Sequence, residues 1–377
     1  MDAPRKIPES INCRQCGAPI NLTGRLAFNH VECPRCKAVS VVPVHYGHFL
    51  LLQALGLGGR GTVYKAVDLQ LNRLVAIKIL RKKIASNPAF IEDFAREARA
   101  AAAASIHPNV AQVYAFGEYD DQYYLAMELL ERGSLDNRIA KSGKLSEREV
   151  LELGLQIAAG LRAAQAHGLL HRDIKPGNIL FSAGGAPKIV DFGLSRVRDR
   201  VNNQNGQPEA IWGTPYYIAP EKLRGEQENF RSDIYSLGAT LFHALTGRPP
   251  IDARTANLAV TKRVARPSYP VRSHVPTAHE STARVIDRML ANDPAERFES
   301  YDALIQVFHE AVAALDAYEM AGTGPILAGK RVLAGAILIA IVSLVIVIAV
   351  AVAKRDRVFR KGPTTPSAPA SKPQWRP

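Results

Sequence analysis

Along one stretch the sequence sets a carboxylate at Asp173, an amide at Asn178 and a second carboxylate at Asp191. A carboxylate able to accept a hydroxyl proton, then an amide and a carboxylate able to hold a divalent cation, are the groups that phosphoryl transfer requires. Upstream, Gly56, Gly58 and Gly61 form a GxGxxG pattern followed by Val63. Glycine lets backbone amides approach phosphate oxygens with no side chain in the way. Hairpin turns without a ligand and dinucleotide fingerprints share that pattern, although a strand after Gly61 disfavours the dinucleotide alternative. Lys78 ends the apolar run Val75-Ala76-Ile77. A buried ammonium there needs an anion, and Glu97 on the next helix could supply it. The plain alternatives are a solvated edge lysine and a surface ion pair worth little.

All four cysteines fall near the N-terminus, as Cys13-x2-Cys16 and Cys33-x2-Cys36. Two such knuckles can bring four thiolates to the corners of a tetrahedron about 2.3 Å from a zinc ion, with no open position for a catalytic water. Gly17 and Pro34 suit the tight turns. Disulfides and a rubredoxin-like iron site are the alternatives. The module, residues 1–45, resembles a zinc ribbon, and the expected metal is structural Zn2+. Ribbons also bind nucleic acid, but Arg14, Arg25, Phe28, Arg35 and Lys37 equally suit a solvated face, so no nucleic-acid partner is expected.

The decisive stretch is His171-Arg172-Asp173-Ile174-Lys175-Pro176-Gly177-Asn178, followed by Asp191-Phe192-Gly193, Gly213-Thr214-Pro215 and Ala219-Pro220-Glu221. With these motifs in order, the chain resembles the eukaryotic-type protein kinases, in the Ser/Thr branch found in bacteria. The resemblance implies ATP and Mg2+ as cofactors and protein hydroxyls as substrates. It makes Asp173 the catalytic base and gives Lys175 the transferred phosphoryl group, while Asn178 and Asp191 hold magnesium. Lys78 pairs with Glu97 and the nucleotide phosphates under the same resemblance. Leu55, Gly56, Gly58 and Gly61 cover the nucleotide, and Val63, Ala76 and Leu180 enclose the adenine. Met127 is the gatekeeper before a hinge at Glu128 to Leu130. Glu221 is expected to pair with Arg297, and Asp233 to brace the catalytic loop. A pseudokinase scaffold would be favoured by loss of Lys78, Asp173 or Asp191, and all three are present.

The elements that must position these groups read as an α+β chain with a bilobal protein-kinase fold: a small β-rich N-lobe and a large helical C-lobe, spanning residues 46–310. Runs at 50–55, 62–68 and 74–80 read as strands separated by turns. A helix is expected from about Pro88, and others over 147–167, 233–245 and 281–290, from apolar spacings of three and four. Residues 311–331 are a juxtamembrane linker. Residues 332–353 carry no charge and one hydroxyl, Ser343, and at about 1.5 Å per residue they could cross about 30 Å of hydrocarbon as a single transmembrane helix. The proline-rich tail, 354–377, should be disordered.

The net charge of +13 suits a polyanionic partner without choosing one. The expected location is the cell membrane, single-pass. Lys354, Arg355, Arg357, Arg360 and Lys361 after the span outnumber Lys330 and Arg331 before it, which would place the tail in the cytoplasm. The needs for ATP and reduced thiols outweigh that count: the kinase domain is expected in the cytoplasm and the tail outside. A homodimer is left open.

Two departures from the family pattern bear on control. Ala101 stands where a large apolar side chain usually packs the helix of Glu97 against the core. Between Asp191 and Thr214 the sole hydroxyl is Ser195, so Glu209 could meet Arg172 in place of a phosphorylated residue, a solvated loop glutamate being the alternative.

Overall fold

The computed structural model describes residues 6–13, 15–57, 61–82, 88–192, 215–251 and 270–321. Gly58, Thr214, Glu209 and the expected span and tail lie outside these. The chain divides into two compact units, Met1–Ala314 and Leu315–Pro377, and the first holds the cysteine hairpins, the sheet and most of the helices. No helix among the described residues is long and apolar enough to cross a membrane.

The first cysteine pair sits on the hairpin of β1 (Ser10–Asn12) and β2 (Pro19–Asn21), the second on that of β3 (His30–Glu32) and β4 (Val39–Val41). Both knuckles turn alike. Gly17 donates to the Cys13 carbonyl (2.8 Å) and Lys37 to that of Cys33 (3.0 Å), each with a left-handed backbone. Ile20, Leu22, Val31 and Val42 pack beneath the thiols as a small core.

The main sheet is antiparallel, in the order β5-β6-β7-β8-β10-β9. Its strands are β5 (Val44–Tyr46), β6 (Phe49–Leu57), β7 (Gly61–Asp68), β8 (Arg73–Leu80), β9 (Val113–Tyr119) and β10 (Gln122–Met127). Side chains alternate faces at a period of two. On β8 this sends Val75, Ile77 and Ile79 to one side, into a cluster with Val44, Tyr46, Leu51 and Tyr64, and Ile7 and Phe28 pack over that cluster. Ala76 and Lys78 face the other side with Leu80, which packs on Phe94 of α1 (Pro88–Ala104). With both faces covered, β8 is buried from Val75 to Leu80, which is why its sequence is a nearly unbroken apolar run.

The expected boundary at 45/46 falls inside β5, which pairs Val44 with Leu51 and Tyr46 with Phe49. The cysteine-bearing module therefore continues into the sheet as an edge strand. A bond from the His45 amide to the Lys6 carbonyl (2.9 Å) ties it back to the chain start.

The C-lobe is helical: α2 (Leu135–Ser142), α3 (Glu147–Ala166), α4 (Pro220–Leu223), α5 (Phe230–Thr246), α6 (Val271–His274), α7 (Glu280–Met289) and α8 (Tyr301–Met320). Ser146 and Glu149 start α3 as a reciprocal capping box, and Asn229 with Ser232 does the same for α5. A stripe at Val150, Leu153, Ile157, Leu161 and Ala164 buries α3, which packs against α5. Gly247 ends α5 in a left-handed turn where a Cβ would meet the Gly143 carbonyl oxygen at 2.6 Å. The short hairpin β11 (Ile179–Phe181) and β12 (Pro187–Ile189) follows the catalytic loop.

Candidate active site and four-cysteine centre

The loop 171–178 is held from below by α5. Asp233, buried in the first turn of α5, accepts bonds from the amides of His171 (2.8 Å) and Arg172 (2.7 Å). Burial pushes its carboxyl above the usual aspartate range, against the opposing pull of His171 and Arg172. Arg172 takes φ 63, a left-handed backbone that a long side chain rarely adopts. His171 bonds the Val190 carbonyl through Nε2 (2.8 Å) and sits edge-on to Phe192, so the loop is tied to the segment that carries Asp191.

Asp173, Lys175 and Asn178 converge. Lys175 Nζ lies 2.8 Å from Asp173 Oδ2, and Asn178 Nδ2 donates to the Asp173 carbonyl (2.8 Å) and to Oδ2 (3.2 Å). Because Asn178 uses its nitrogen on Asp173, its carbonyl oxygen is the atom it can offer a cation. Val190 donates to the Asn178 backbone carbonyl (3.0 Å), bringing Asp191 to the same end of the hairpin. Asp191 itself has a left-handed backbone, φ 64, and its Oδ2 is 2.8 Å from Lys78 Nζ. Glu97, the anion expected for Lys78, is buried on α1 and lines a cavity of about 30 Å³ together with Phe94, Ala101, Leu125, Met127 and Phe192.

The residues expected around the nucleotide sit on β6 to β8, β10 and β11. Ala76 is paired with Met127 and Lys78 with Val63 across neighbouring strands. Leu55 and Gly56 lie on β6, and Leu180 on β11 bridges to Ser134. Gly61 begins β7 where a Cβ would lie 2.1 Å from the Ile79 carbonyl oxygen, so the close approach admits only glycine. The Glu128 amide is committed to the Gln112 carbonyl (2.8 Å).

Glu221 and Arg297 pair through two bonds of 2.7 and 2.8 Å, with Ser232 Oγ donating to the same carboxylate. Burial alone would raise Glu221, but the bonds and charge of Arg297 outweigh it and hold the carboxyl below the ordinary range.

Residues 49–309 match the protein kinase domain family. The chain belongs to the protein kinase family. This kinase is 36% identical over 254 residues to the serine/threonine-protein kinase PrkC of Bacillus subtilis, covering 67% of the chain and 39% of that protein. It is 36% identical over 277 residues to the serine/threonine-protein kinase PknA of Mycobacterium tuberculosis, covering 72% of the chain and 62% of that protein. Both shares fall short of two thirds of the relative's length. The crystal structure of the PknI kinase domain of Mycobacterium tuberculosis aligns over 71% of the chain and 98% of that domain, with a TM-score of 0.56 and 27% identity. The kinase domain is thus of the bacterial Ser/Thr type, bilobal, with a β-rich N-lobe and a helical C-lobe.

The four thiols form the second centre. Cys13 Sγ is 3.6 Å from Cys36 Sγ, Cys16 is 3.6 Å from Cys33, and all four lie within 4.8 Å of one another as free thiols. Tetrahedral ligation at about 2.3 Å places sulfurs about 3.8 Å apart, so the donor set fits zinc. Hydrogen bonds from the Cys36 and Arg35 amides help bring Cys33 down to about 6. The Ala18 amide lowers Cys16, yet burial and the neighbouring thiols push it up to about 12. Packed this closely, the thiols cannot all ionise together without a cation among them.

Two features of the sites were not anticipated from the sequence. Phe28, counted with a solvated face, instead stacks on Tyr64 of β7. Arg172 faces Glu228, which follows the Ala219-Pro220-Glu221 motif, at 4.0 Å.

Proposed function

We propose that the chain is a membrane-anchored Ser/Thr protein kinase that transfers the γ-phosphate of ATP to protein hydroxyls and carries a structural zinc in its N-terminal ribbon. The observation that carries the catalytic part is the convergence of Asp173, Lys175 and Asn178 on one side of the β11–β12 hairpin, with Lys78 and Asp191 paired beside it. Asp173 accepts the proton of the attacking hydroxyl, which makes the oxygen a better nucleophile as the bond to phosphorus forms. Lys175, already beside Asp173, places a positive charge next to the transferred group. Lys78 binds the nucleotide phosphates from β8, and Ala76, Val63 and Leu180 enclose the adenine. Because the Glu128 amide is committed to Gln112, the adenine edge is read by the other backbone groups of Glu128 to Leu130. Asn178 and Asp191 supply oxygen donors suited to Mg2+, which when bound neutralises charge on the phosphates.

Changing Asp173 to Asn tests the base. Transfer to a Ser/Thr peptide mixture should fall at least a hundredfold while ATP still binds; full activity would overturn the role. Zinc is tested by elemental analysis of protein purified without chelator, with one zinc per chain expected. The anchor rests on the uncharged run 332–353. Protease added to intact cells should leave the kinase domain whole, and its digestion would reverse the topology.

A further inference from the structure

Arg172 precedes the catalytic base in a left-handed backbone, and a strained residue keeps that shape only when its surroundings over-determine it. Its backbone is fixed by Asp233. Its side chain is largely buried, and Nε has no hydrogen-bond partner among the described residues. A buried cation in that position requires an anion nearby. The carboxylate that faces it is Glu228, with Oε2 at 4.0 Å and only 10% of its side chain exposed.

Glu228 is itself held in place. Both of its oxygens accept bonds from Lys222 Nζ, at 3.1 and 3.0 Å. Lys222 follows Glu221, which Arg297 and Ser232 clamp in the core. On its other side Glu228 precedes Asn229, whose capping box starts α5, the helix that also supplies Asp233. One carboxylate thus links three pieces that meet at the base: the catalytic loop, α4 and the start of α5.

We propose that Glu228 is a positioning residue for phosphoryl transfer, its carboxylate holding the Arg172 guanidinium so that the strained turn before Asp173 keeps one shape with no covalent modification. This rests on the kinase function proposed above. Glu228 touches no reacting group, so its removal should act on kcat through the geometry of Asp173 and leave ATP binding alone.

The test is steady-state kinetics of the full-length chain with ATP and a Ser/Thr peptide mixture. Glu228→Gln should lower kcat on the order of tenfold or more, as expected for a small displacement of a catalytic group, with the KM for ATP within about twofold. Lys222→Met removes a second ion pair of Glu228 but leaves its carboxylate facing Arg172, with the start of α5 still holding the backbone, so it should cost less than Glu228→Gln. Adding Glu228→Gln to Arg172→Gln should cost little beyond the single change, since the two act as one pair. If Glu228→Gln has no cooperative thermal transition, Arg172→Gln reads the pair from the other side and should show the same kcat loss at unchanged KM. Unchanged kcat in the tested variant, equal loss in Lys222→Met, or full additivity in the double variant would each overturn the inference. So would a large loss of rate when the unchanged protein is treated with phosphatase. Absence of transfer by the unchanged protein would overturn the kinase function, and this inference with it.

Discussion

Phe28 of the cysteine-bearing module lies stacked on Tyr64 of β7, with ring centroids 5.7 Å apart and planes 25° from parallel. Phe28 holds φ 64, an unusual backbone for a bulky residue, and its amide donates to the Val42 carbonyl (2.8 Å). Tyr64 follows Val63, expected against the adenine. The stack therefore joins the thiol-bearing module to β7 of the main sheet. Aromatic pairs contribute about 0.5–1.5 kcal/mol beyond their area, and truncating a packed Phe costs about 3–5 kcal/mol in a full core. Phe28→Ala, at a partly buried site, should cost about 2 kcal/mol, measured by thermal denaturation. A loss of no more than a few tenths of that would show that the stack contributes nothing.

Metal removal should reach the same sheet. Ile7 packs against both the ribbon core and the N-lobe cluster, so loss of a zinc bound by the cysteines should lower the melting temperature of the kinase domain as well as unfold the ribbon. Calorimetry with and without chelator should show the main transition shifting down. A main transition that stays put while the ribbon melts separately would contradict this linkage.

Breaking the Glu221–Arg297 pair leaves an uncompensated charge in a buried place. Arg297→Met should cost about 3–5 kcal/mol, read from denaturant unfolding. The pH dependence follows from the same contact. The folded carboxyl is held below the ordinary glutamate value of 4.5, so the unfolded chain takes up the proton first on acidification. The pair's contribution is complete above 4.5 and is lost as pH falls through the lower folded value. The acid limb of the stability profile should therefore flatten in Glu221→Gln.

The cavity beside Ala101 has room for about two methyl groups, since one water-sized sphere needs about 10–15 Å³. Ala101→Val, which adds two carbons, should fill it and raise the melting temperature by about 2–4 °C, as a gain of about 1 kcal/mol does in a domain of this size. A fall in melting temperature would mean overpacking against Phe94 and Met127.

Gly61→Ala should raise the KM for ATP, because a Cβ at 2.1 Å from the Ile79 carbonyl oxygen must push β7 from β8 where Val63 opposes Lys78. Kinetics with ATP varied would detect it, and an unchanged KM would show that the strand pair relaxes freely.

Local signals made much of the scaffold legible. The strands at 50–55, 62–68 and 74–80 emerge as β6, β7 and β8, with β6 longer at both ends and β7 and β8 each longer by one residue at the start. Apolar spacings of three and four over 147–167 located α3. The pairing of Glu221 with Arg297 and the bracing by Asp233 followed from the family resemblance and appear as expected. The contacts that escaped prediction join segments far apart in the chain. Nothing periodic around Phe28 signals a ring on a strand of another module. For Lys78 the expected carboxylate is Glu97, and its ion pair with Asp191 joins a strand to a loop more than a hundred residues away, which no local spacing signals. Glu228 sits in a charged, polar stretch, Gly225-Glu226-Gln227-Glu228, where only tertiary placement separates it from a solvated side chain.

The placement of β5 at the edge of the sheet has a consequence for the order in which the protein is made. The ribbon and β5 leave the ribosome before β6, β7 and β8, so the cover for Val75, Ile77 and Ile79 is already present when those residues emerge. The nascent sheet grows strand by strand from β5, largely through neighbouring hairpins, and its apolar outer face need not wait in water for a distant partner. A chain begun at residue 46 loses this shelter and should collect as aggregate during synthesis, even with every catalytic group intact.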